Sequence, residues 1–228
     1  MTDNIGIVTA LADESVYLRQ CFGTVINLFR DGGYTVYQYK FADKNIFMIN
    51  CGVGEIAAAL ATQYLIFHYN VGCLLNVGLV GSLCDEYKRG QLVAVKEIVH
   101  YDFTRMYSDD EIAGIHMGHE SFVLSFDTPL LDNFVTMSQL PAVRIASGDK
   151  FVDVTALKLR LADKFGCEIC DMESAGIHFA CVNSNVPYIM IKCVSDNADE
   201  GANESFYEAI DGGVKQYVDY VKKFIINL

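Results

Sequence analysis

The sequence has few basic residues for its number of acidic ones. It contains 17 Lys and Arg against 29 Asp and Glu, which gives a formal net charge of −12. Proteins that bind nucleic acids need clustered Lys and Arg to replace the counterions of the phosphates. The composition therefore argues against a nucleic-acid partner and favours a small molecule or another protein.

Long hydrophobic runs are also missing near the start of the sequence. The segment MTDNIGIVTALADES carries an acid at position 3 and an apolar run of only seven residues. Such a run is too short for a membrane span, and its flanks are unlike those of a signal peptide. We expect no membrane association and a cytoplasmic protein.

Paired metal-binding cysteines are absent as well. Eight cysteines are spread through apolar segments. The one C-x-x-C pair, Cys167 and Cys170, has no second pair with which to complete a four-ligand zinc site. We expect reduced cysteines that pack as small hydrophobic residues in the core, and no metal.

Two glycine-rich turns lack the rest of a nucleotide-binding motif. The turn CGVGE at 51–55 has neither the third glycine nor the acidic ribose ligand of a dinucleotide fingerprint. The segment NVGLVGS at 76–82 has no GKS or GKT, so it is no triphosphate-binding loop. Both are expected to be tight turns after strands.

What the sequence has is an alternation of buried strands and amphipathic helices in 228 residues, 52% of them hydrophobic. Apolar, β-branched runs predict strands, and apolar residues spaced by three and four predict helices. The predicted strands are 5–11, 45–51, 73–80, 91–99, 143–147 and 186–195, and the predicted helices 54–69, 154–165, 173–184 and 204–227. This pattern predicts a single α/β domain over 1–228, with a mixed, mostly parallel central sheet covered by helices.

Candidate site residues follow from the ends of these strands. In open α/β sheets the ligand crevice lies outside the carboxyl ends of the strands, where helix N-termini also point. The strand ends carry Glu14, the Cys51–Gly54 turn, 76–81, 147–152, Met172 with Glu173, and Ser195 with Asp196.

Three acids at these ends also have simpler interpretations. Asp196 could close its strand with an Asx turn. Glu173 could be a first-turn helix acid that the helix dipole favours, and Glu14 could be a solvated acid at a helix start. Taken one at a time, these residues do not identify a function.

The combined motifs are more informative. The strings IGIVTALADE, CGVGEIAAALAT, NVGLVGSL, SGDKFV, DMESAGI and VSDNAD occur in this order between positions 5 and 199. This order resembles the 5′-methylthioadenosine/S-adenosylhomocysteine nucleosidases of the nucleoside phosphorylase superfamily, which have a three-layer α/β/α fold. The resemblance implies hydrolysis of an N-ribosidic bond in nucleoside catabolism and methionine salvage, with no cofactor and no metal.

The resemblance also implies roles for particular residues. Glu14 would be the base that activates water, and Asp196, supported by Ser195, the acid at the purine. The ribose would rest on Met172, and Glu173 would bind its 2′- and 3′-hydroxyls. Implied substrate contacts complete the set: Phe151 and the backbone of Val152 at the adenine, and Gly52 and Val53 at the sugar and its 5′ substituent. A purine nucleoside would be the ligand and a homodimer the assembly.

Other activities stay open at this point. A nucleoside phosphorylase would need an arginine-rich phosphate site, and the ALADES turn after the first strand offers none. A futalosine-type hydrolase would use the same acid, base and ribose clamp on a bulkier substrate. A nucleoside-binding protein without turnover is the third alternative, because Leu79 stands where these nucleosidases carry a small hydroxyl residue.

Overall fold

The computed structural model describes residues 3–107, 110–116, 118–125, 128–213 and 215–228. Its strands are β1 Asn4–Thr9, β2 Asn27–Asp31, β3 Tyr34–Phe41, β4 Lys44–Asn50, β5 Cys73–Ser82, β6 Leu92–His100, β7 Thr104–Tyr107, β8 Asp110–Ala113, β9 Leu124–Ser125, β10 Ala142–Ser147, β11 Ile169–Asp171 and β12 Tyr188–Asp196. Its helices are α1 Ala12–Cys21, α2 Glu55–Tyr69, α3 Pro129–Ser138, α4 Thr155–Phe165, α5 Ser174–Asn183, α6 Ala202–Gly213 and α7 Val218–Ile226.

The strands form one large mixed sheet in the order β11-β10-β6-β12-β5-β1-β4-β3-β2. Strand β5 lies parallel to both β1 and β12, and its end also pairs with β11, where Cys170 lies opposite Gly81. This extra pairing closes β5, β12, β6, β10 and β11 into a ring. It brings the end of β11 next to the ends of β5 and β12, which are far from it in the sheet order.

The core lies on both faces of these central strands. Every residue of β5 and β12 is buried, as expected for strands covered by helices on both sides. Helix α2 packs against α5 and against β1, and α6 packs against β12. The predicted fold class, a single α/β domain with a mixed sheet, is confirmed. Within the described ranges, no helix is both long and apolar enough to cross a membrane.

The predicted helix at 204–227 is wrong as a continuous element. The structure has two helices there, α6 and α7. Helix α6 ends at Gly212 and Gly213, and glycine is about 1 kcal/mol less favourable than alanine inside a helix. Apolar spacing continues on both sides of the break, which is why periodicity alone suggested one helix.

All eight cysteines are free thiols, as predicted. Six of them are buried, Cys167 and Cys170 included, whereas Cys21 and Cys84 are partly exposed. The C-x-x-C pair is therefore part of the packed interior around β11.

Candidate functional site

A cavity of about 720 Å³ lies over the ends of β5, β11 and β12. Eight of the nine predicted site residues line it: Glu14, Val53, Phe151, Val152, Met172, Glu173, Ser195 and Asp196. Gly52 does not. It lies in the turn before α2 with a φ of +86°, a conformation that glycine adopts without strain, and so directs the chain toward Val53.

Glu14 is buried, with 3% of its surface exposed, so it is not the solvated helix-start acid of the simpler interpretation. It belongs to the first turn of α1, yet its carboxylate points to β5. One oxygen accepts the backbone N–H of Leu79 at 2.9 Å, and the other accepts that of Leu11 at 2.8 Å. Burial raises the pKa of Glu14, while these two N–H groups and the charge of Lys192 oppose that rise.

Asp196 is equally buried at the end of β12. Its Oδ1 accepts the N–H of Ala198 at 2.8 Å, so the Asx turn of the simpler interpretation is present. Its Oδ2 lies 2.7 Å from the hydroxyl of Ser195. Burial raises the pKa of Asp196, and the Ser195 hydroxyl and the Ala198 N–H only partly offset this. The residue is both a turn former and a cavity acid.

The two glycines of the NVGLVGS segment make room for these acids. A Cβ on Gly78 would lie 3.1 Å from Glu14 Oε1, and a Cβ on Gly81 would lie 3.0 Å from Asp196 Oδ1. One strand, β5, therefore supports both carboxyl groups. Three residues of extended strand separate their two contact points by roughly 10 Å.

Glu173 occupies the N-cap position of α5 but does not cap that helix with its side chain. Its Oε1 accepts the N–H of Gly54 at 3.0 Å, at the start of α2, and its Oε2 accepts the N–H of Met172 at 3.3 Å. Burial and the nearby charge of Asp171 raise the pKa of Glu173 to about 8. Glu173 therefore precedes the first turn of α5 and points elsewhere, so the interpretation as a first-turn helix acid does not hold.

An ion pair that sequence reasoning did not predict lies beneath the cavity. The Nζ of Lys192 donates to Asp171 Oδ2 at 2.7 Å, and both side chains are almost fully buried. Burial alone would raise the pKa of Asp171, yet Lys192 holds it below its ordinary value. A lysine inside the apolar run VPYIMIKCVS was the available signal, since a buried charge requires a partner.

Glu55, which was also missed, extends this buried polar cluster together with Ser147, one of the strand-end candidates. The Ser147 hydroxyl lies 2.5 Å from Glu55 Oε1 and 2.7 Å from Asp171 Oδ1. The other oxygen of Glu55 accepts the N–H of Gly176. Burial and the charge of Asp171 raise the pKa of Glu55 to about 7. The cluster joins α2, β10, β11 and α5.

Apolar residues close the opposite side of the cavity. Phe206 and Ile210 of α6 face it together with Phe151, which follows β10. The rings of Phe151 and Phe206 pack edge to face, with 6.0 Å between their centroids. Phe206 also contacts the main core, so it serves both packing and the cavity wall.

Comparison with known proteins agrees with this geometry. Residues 4–226 match the sequence profile of the Phosphorylase superfamily. A 5′-methylthioadenosine/S-adenosylhomocysteine nucleosidase of Buchnera aphidicola is 30% identical over 232 residues, covering 98% of both chains. An aminodeoxyfutalosine nucleosidase of Helicobacter pylori is 26% identical and covers 100% of both.

A solved structure is also similar over nearly its whole length. It is the 5′-methylthioadenosine/S-adenosyl homocysteine nucleosidase of Helicobacter pylori in complex with a pyrrolopyrimidine-bearing pyrrolidinol. Its TM-score is 0.93 at 25% identity, covering 99% of this chain and 98% of that one. The chain belongs to the Phosphorylase superfamily, and within it to the 5′-methylthioadenosine/S-adenosylhomocysteine nucleosidase family.

Proposed function

We propose that the protein is a purine nucleosidase that hydrolyses the N-ribosidic bond of 5′-methylthioadenosine, S-adenosylhomocysteine or both. The products are adenine and a 5-thioribose sugar, as methionine salvage requires. The observation that carries the proposal is the pair of buried acids, Glu14 and Asp196, held at two points of β5 in one cavity. The named relatives support the same reaction type.

Asp196 acts as the general acid in this proposal. Cleavage passes through an oxocarbenium-like state, and adenine leaves easily only when a ring nitrogen receives a proton. The raised pKa of Asp196 favours the protonated form that this step needs. Phe151 and the backbone of Val152 hold the adenine beside it.

Glu14 acts as the base that orients and deprotonates the attacking water. Its two backbone N–H donors and the nearby Lys192 stabilise the carboxylate form. As in inverting glycosidases, the base must leave room for a water molecule between itself and the sugar. Attack then comes from the sugar face opposite the leaving adenine.

Glu173 binds the ribose 2′- and 3′-hydroxyls in this proposal, with Met172 beneath the sugar. Two ribose hydroxyls that donate to Glu173 would favour its carboxylate form and oppose the rise of its pKa to about 8, and such charge-assisted bonds are strong. Within the described part of the chain, each oxygen of Glu173 accepts one backbone N–H, which leaves a lone pair available on both.

Water is favoured over phosphate as the nucleophile. Among the described residues that line the cavity, five carry carboxyl groups and one, Lys150, carries a cation. A cavity of this charge repels phosphate, which a phosphorylase must bind. The turn ALADES after β1 contains no arginine, so it too offers no site for phosphate.

Aminodeoxyfutalosine is the second candidate substrate. The reason is the Helicobacter pylori relative of that name, which covers the full length of this chain. The same acid, base and ribose clamp would serve it, and the difference lies in the 5′ substituent.

A product assay tests these proposals. The three nucleosides are incubated with the protein in buffers with and without phosphate, and adenine and sugar products are quantified. We expect adenine release without phosphate and a free reducing sugar. A sugar 1-phosphate, or strict dependence on phosphate, would make the protein a phosphorylase, and ligand binding without adenine release would make it a binding protein.

A homodimer and a cytoplasmic location belong to the same proposal. Helix α2 exposes a line of apolar side chains, with Ile56 72%, Leu60 59% and Phe67 72% exposed, and Val182 of the adjoining α5 is 49% exposed. A second copy covering this strip would remove it from water. Free thiols at all eight cysteines suit a reducing compartment.

A further inference from the structure

The start of helix α5 is capped by three side chains from outside the helix. The first N–H groups of a helix have no partner within it and need one from elsewhere. Asp171 Oδ1 accepts the N–H of Ser174 at 3.2 Å, Ser147 Oγ accepts that of Ala175 at 3.1 Å, and Glu55 accepts that of Gly176. Because these groups replace a side-chain cap, Glu173 is free to point into the cavity.

In this external cap, the contacts around Ser147 require one more donor hydrogen than is present if both Glu55 and Asp171 are ionised. Ser147 Oγ accepts the Ala175 N–H and lies within 2.7 Å of two carboxyl oxygens, one from Glu55 and one from Asp171. A serine hydroxyl has one hydrogen to donate. It can therefore satisfy one of these two contacts, and the other requires a hydrogen on a carboxyl group.

The other contacts decide which carboxyl group carries that hydrogen. Asp171 also accepts from Lys192 Nζ and from the hydroxyl of Ser174, at 2.7 and 2.6 Å, so it is well stabilised as an anion. Among the described residues, the side chain of Glu55 contacts the Gly176 N–H besides Ser147. We propose that Glu55 is a positioning residue that keeps its proton and donates it to Ser147, so that the external cap holds Glu173 in place.

The charges around Glu55 agree with a neutral side chain. Asp171 of β11 is on one side, and Asp149, which follows β10, accepts the backbone N–H of Glu55 at 2.7 Å. His100 at the end of β6 is the nearby group that favours ionisation, while Lys192 of β12 is engaged by Asp171. Burial, together with the charge of Asp171, raises the pKa of Glu55 to about 7.

A protonated Glu55 has a consequence for the pH dependence of folding. Its pKa is about 7 in the folded protein and 4.5 in the absence of perturbation, so the folded state binds more protons between these values. The contribution of Glu55 to stability is therefore complete below pH 4.5 and is lost as the pH rises through 7.

The first experiment compares Glu55→Gln with Glu55→Ala and uses Glu120→Gln, at an exposed position, as the matched control. A glutamine amide donates to Ser147 and accepts from Gly176, as protonated glutamate does. We expect Glu55→Gln to lose the protonated-carboxyl absorption of Glu55 from the infrared spectrum at pH 6. We also expect a flatter dependence of urea unfolding on pH, while Glu120→Gln matches the wild type in both.

These two measurements need no substrate, so they test the proton even if the proposed nucleosidase activity fails. Where that activity holds, the positioning role predicts that Glu55→Ala loses about tenfold in kcat/KM. Glu55→Gln should retain most of the activity and should keep it at alkaline pH. An infrared spectrum unchanged by Glu55→Gln would overturn the protonated state, and equal losses in the two Glu55 variants would overturn the positioning role.

Discussion

The two ends of the cavity each hold a buried carboxyl group, Glu14 at one end and Asp196 at the other, but with different hydrogen-bond partners. At one end, both oxygens of Glu14 accept backbone N–H groups, and Lys192 is the nearby charge. At the other end, Asp196 has one backbone N–H and a serine hydroxyl, and Asp199 adds a repulsive charge. Donors fixed in the backbone favour a carboxylate, whereas a rotatable hydroxyl suits either protonation state.

Ser195 shows how the acid end can keep a proton. Its Oγ lies 2.7 Å from Asp196 Oδ2 and 3.1 Å from the carbonyl oxygen of Val80, which can only accept. When Asp196 is protonated, the hydroxyl can turn its hydrogen to Val80 and accept from Asp196. When Asp196 is ionised, the Ser195 hydroxyl can donate its hydrogen to Asp196 Oδ2 instead. Among the described residues, the hydrogen bonds to the Glu14 carboxylate come from backbone N–H groups, which cannot turn in this way.

The largest expected effect comes from neutralising each end separately. Asp196→Asn removes the proton donor and Glu14→Gln removes the base, and each should reduce kcat by about 10²–10⁴. Because Asp196 must be protonated, native activity should fall as the pH rises through its raised pKa. Because Glu14 must be ionised, activity should fall as the pH drops through its own. A pH profile of kcat/KM measures both.

A substrate with a better leaving group separates the two ends. The p-nitrophenyl riboside needs no protonation of its leaving group, so it should lose far less from Asp196→Asn than from Glu14→Gln. Near-normal turnover of every nucleoside by both variants would falsify the assignment of acid and base.

The next largest effect is expected at Glu173, the residue proposed to bind the ribose hydroxyls. Glu173→Gln replaces a bidentate carboxylate by an amide, and weaker bonds to the ribose hydroxyls should cost about 1.5–3 kcal/mol, or roughly ten- to a hundredfold in kcat/KM. The fold should persist, because the side chain does not cap α5. Loss of thermal stability with unchanged catalysis would contradict the clamp role.

The glycines of β5 allow a direct comparison of the two ends. In Gly81→Ala the new Cβ would meet Asp196 Oδ1, Cys170 Sγ and Ala198 Cβ at 3.0, 3.0 and 3.1 Å, whereas in Gly78→Ala it would meet Glu14 Oε1 alone at 3.1 Å. We expect a loss of about tenfold in kcat for Gly81→Ala and a smaller one for Gly78→Ala, because displaced reacting groups lose alignment.

Gly201→Ala is the control for this pair, since its Cβ would have no neighbour closer than 3.5 Å. Steady-state kinetics and circular dichroism of the three variants check the order. Equal losses of kcat in Gly81→Ala and Gly78→Ala would contradict the expected order and would mean that Glu14 and Asp196 are equally sensitive to displacement.

The smallest expected effect concerns the support behind Glu14. The hydroxyl of the buried Tyr217 donates to the backbone oxygen of Glu14 at 2.5 Å and so ties α7 to the start of α1. Tyr217→Phe removes one hydrogen bond, and kcat should fall about two- to tenfold with KM nearly unchanged. Tyr220→Phe on the same helix is the control. A change in KM alone would argue against positioning of the base.

The sequence predicted the central elements of the fold well. Each of the six predicted strands agrees with the structure to within two residues, because long apolar runs rich in β-branched residues identify buried strands. The β2–β3 hairpin was not predicted, because β2 is mostly exposed and has no apolar run. For helix α1 a start near Glu14 was considered but no helix was predicted, because its buried residues include Glu14 and Ser15.

The candidate site was predictable only where strand ends and motifs coincide. Such coincidence placed Glu14, Glu173 and Asp196 in one crevice. The partners of Glu55 lie 92 and 121 residues away in sequence, at Ser147 and Gly176, so no local pattern reveals them. The local sequence shows an acid, Glu55, at the start of an otherwise apolar segment, but this does not identify the residues that it contacts.

The external cap of α5 also bears on how this region opens. Its three amide hydrogens, at Ser174, Ala175 and Gly176, are bonded to side chains from β11, β10 and α2, so releasing them requires several elements to separate together. Deuterium should therefore enter these amides only through cooperative opening of the sheet, at rates near those of global unfolding. During refolding the amides of Ala175 and Gly176 should be among the last to gain protection, because their partners lie 28 and 121 residues away and close large loops, whereas the partner of Ser174 is three residues away.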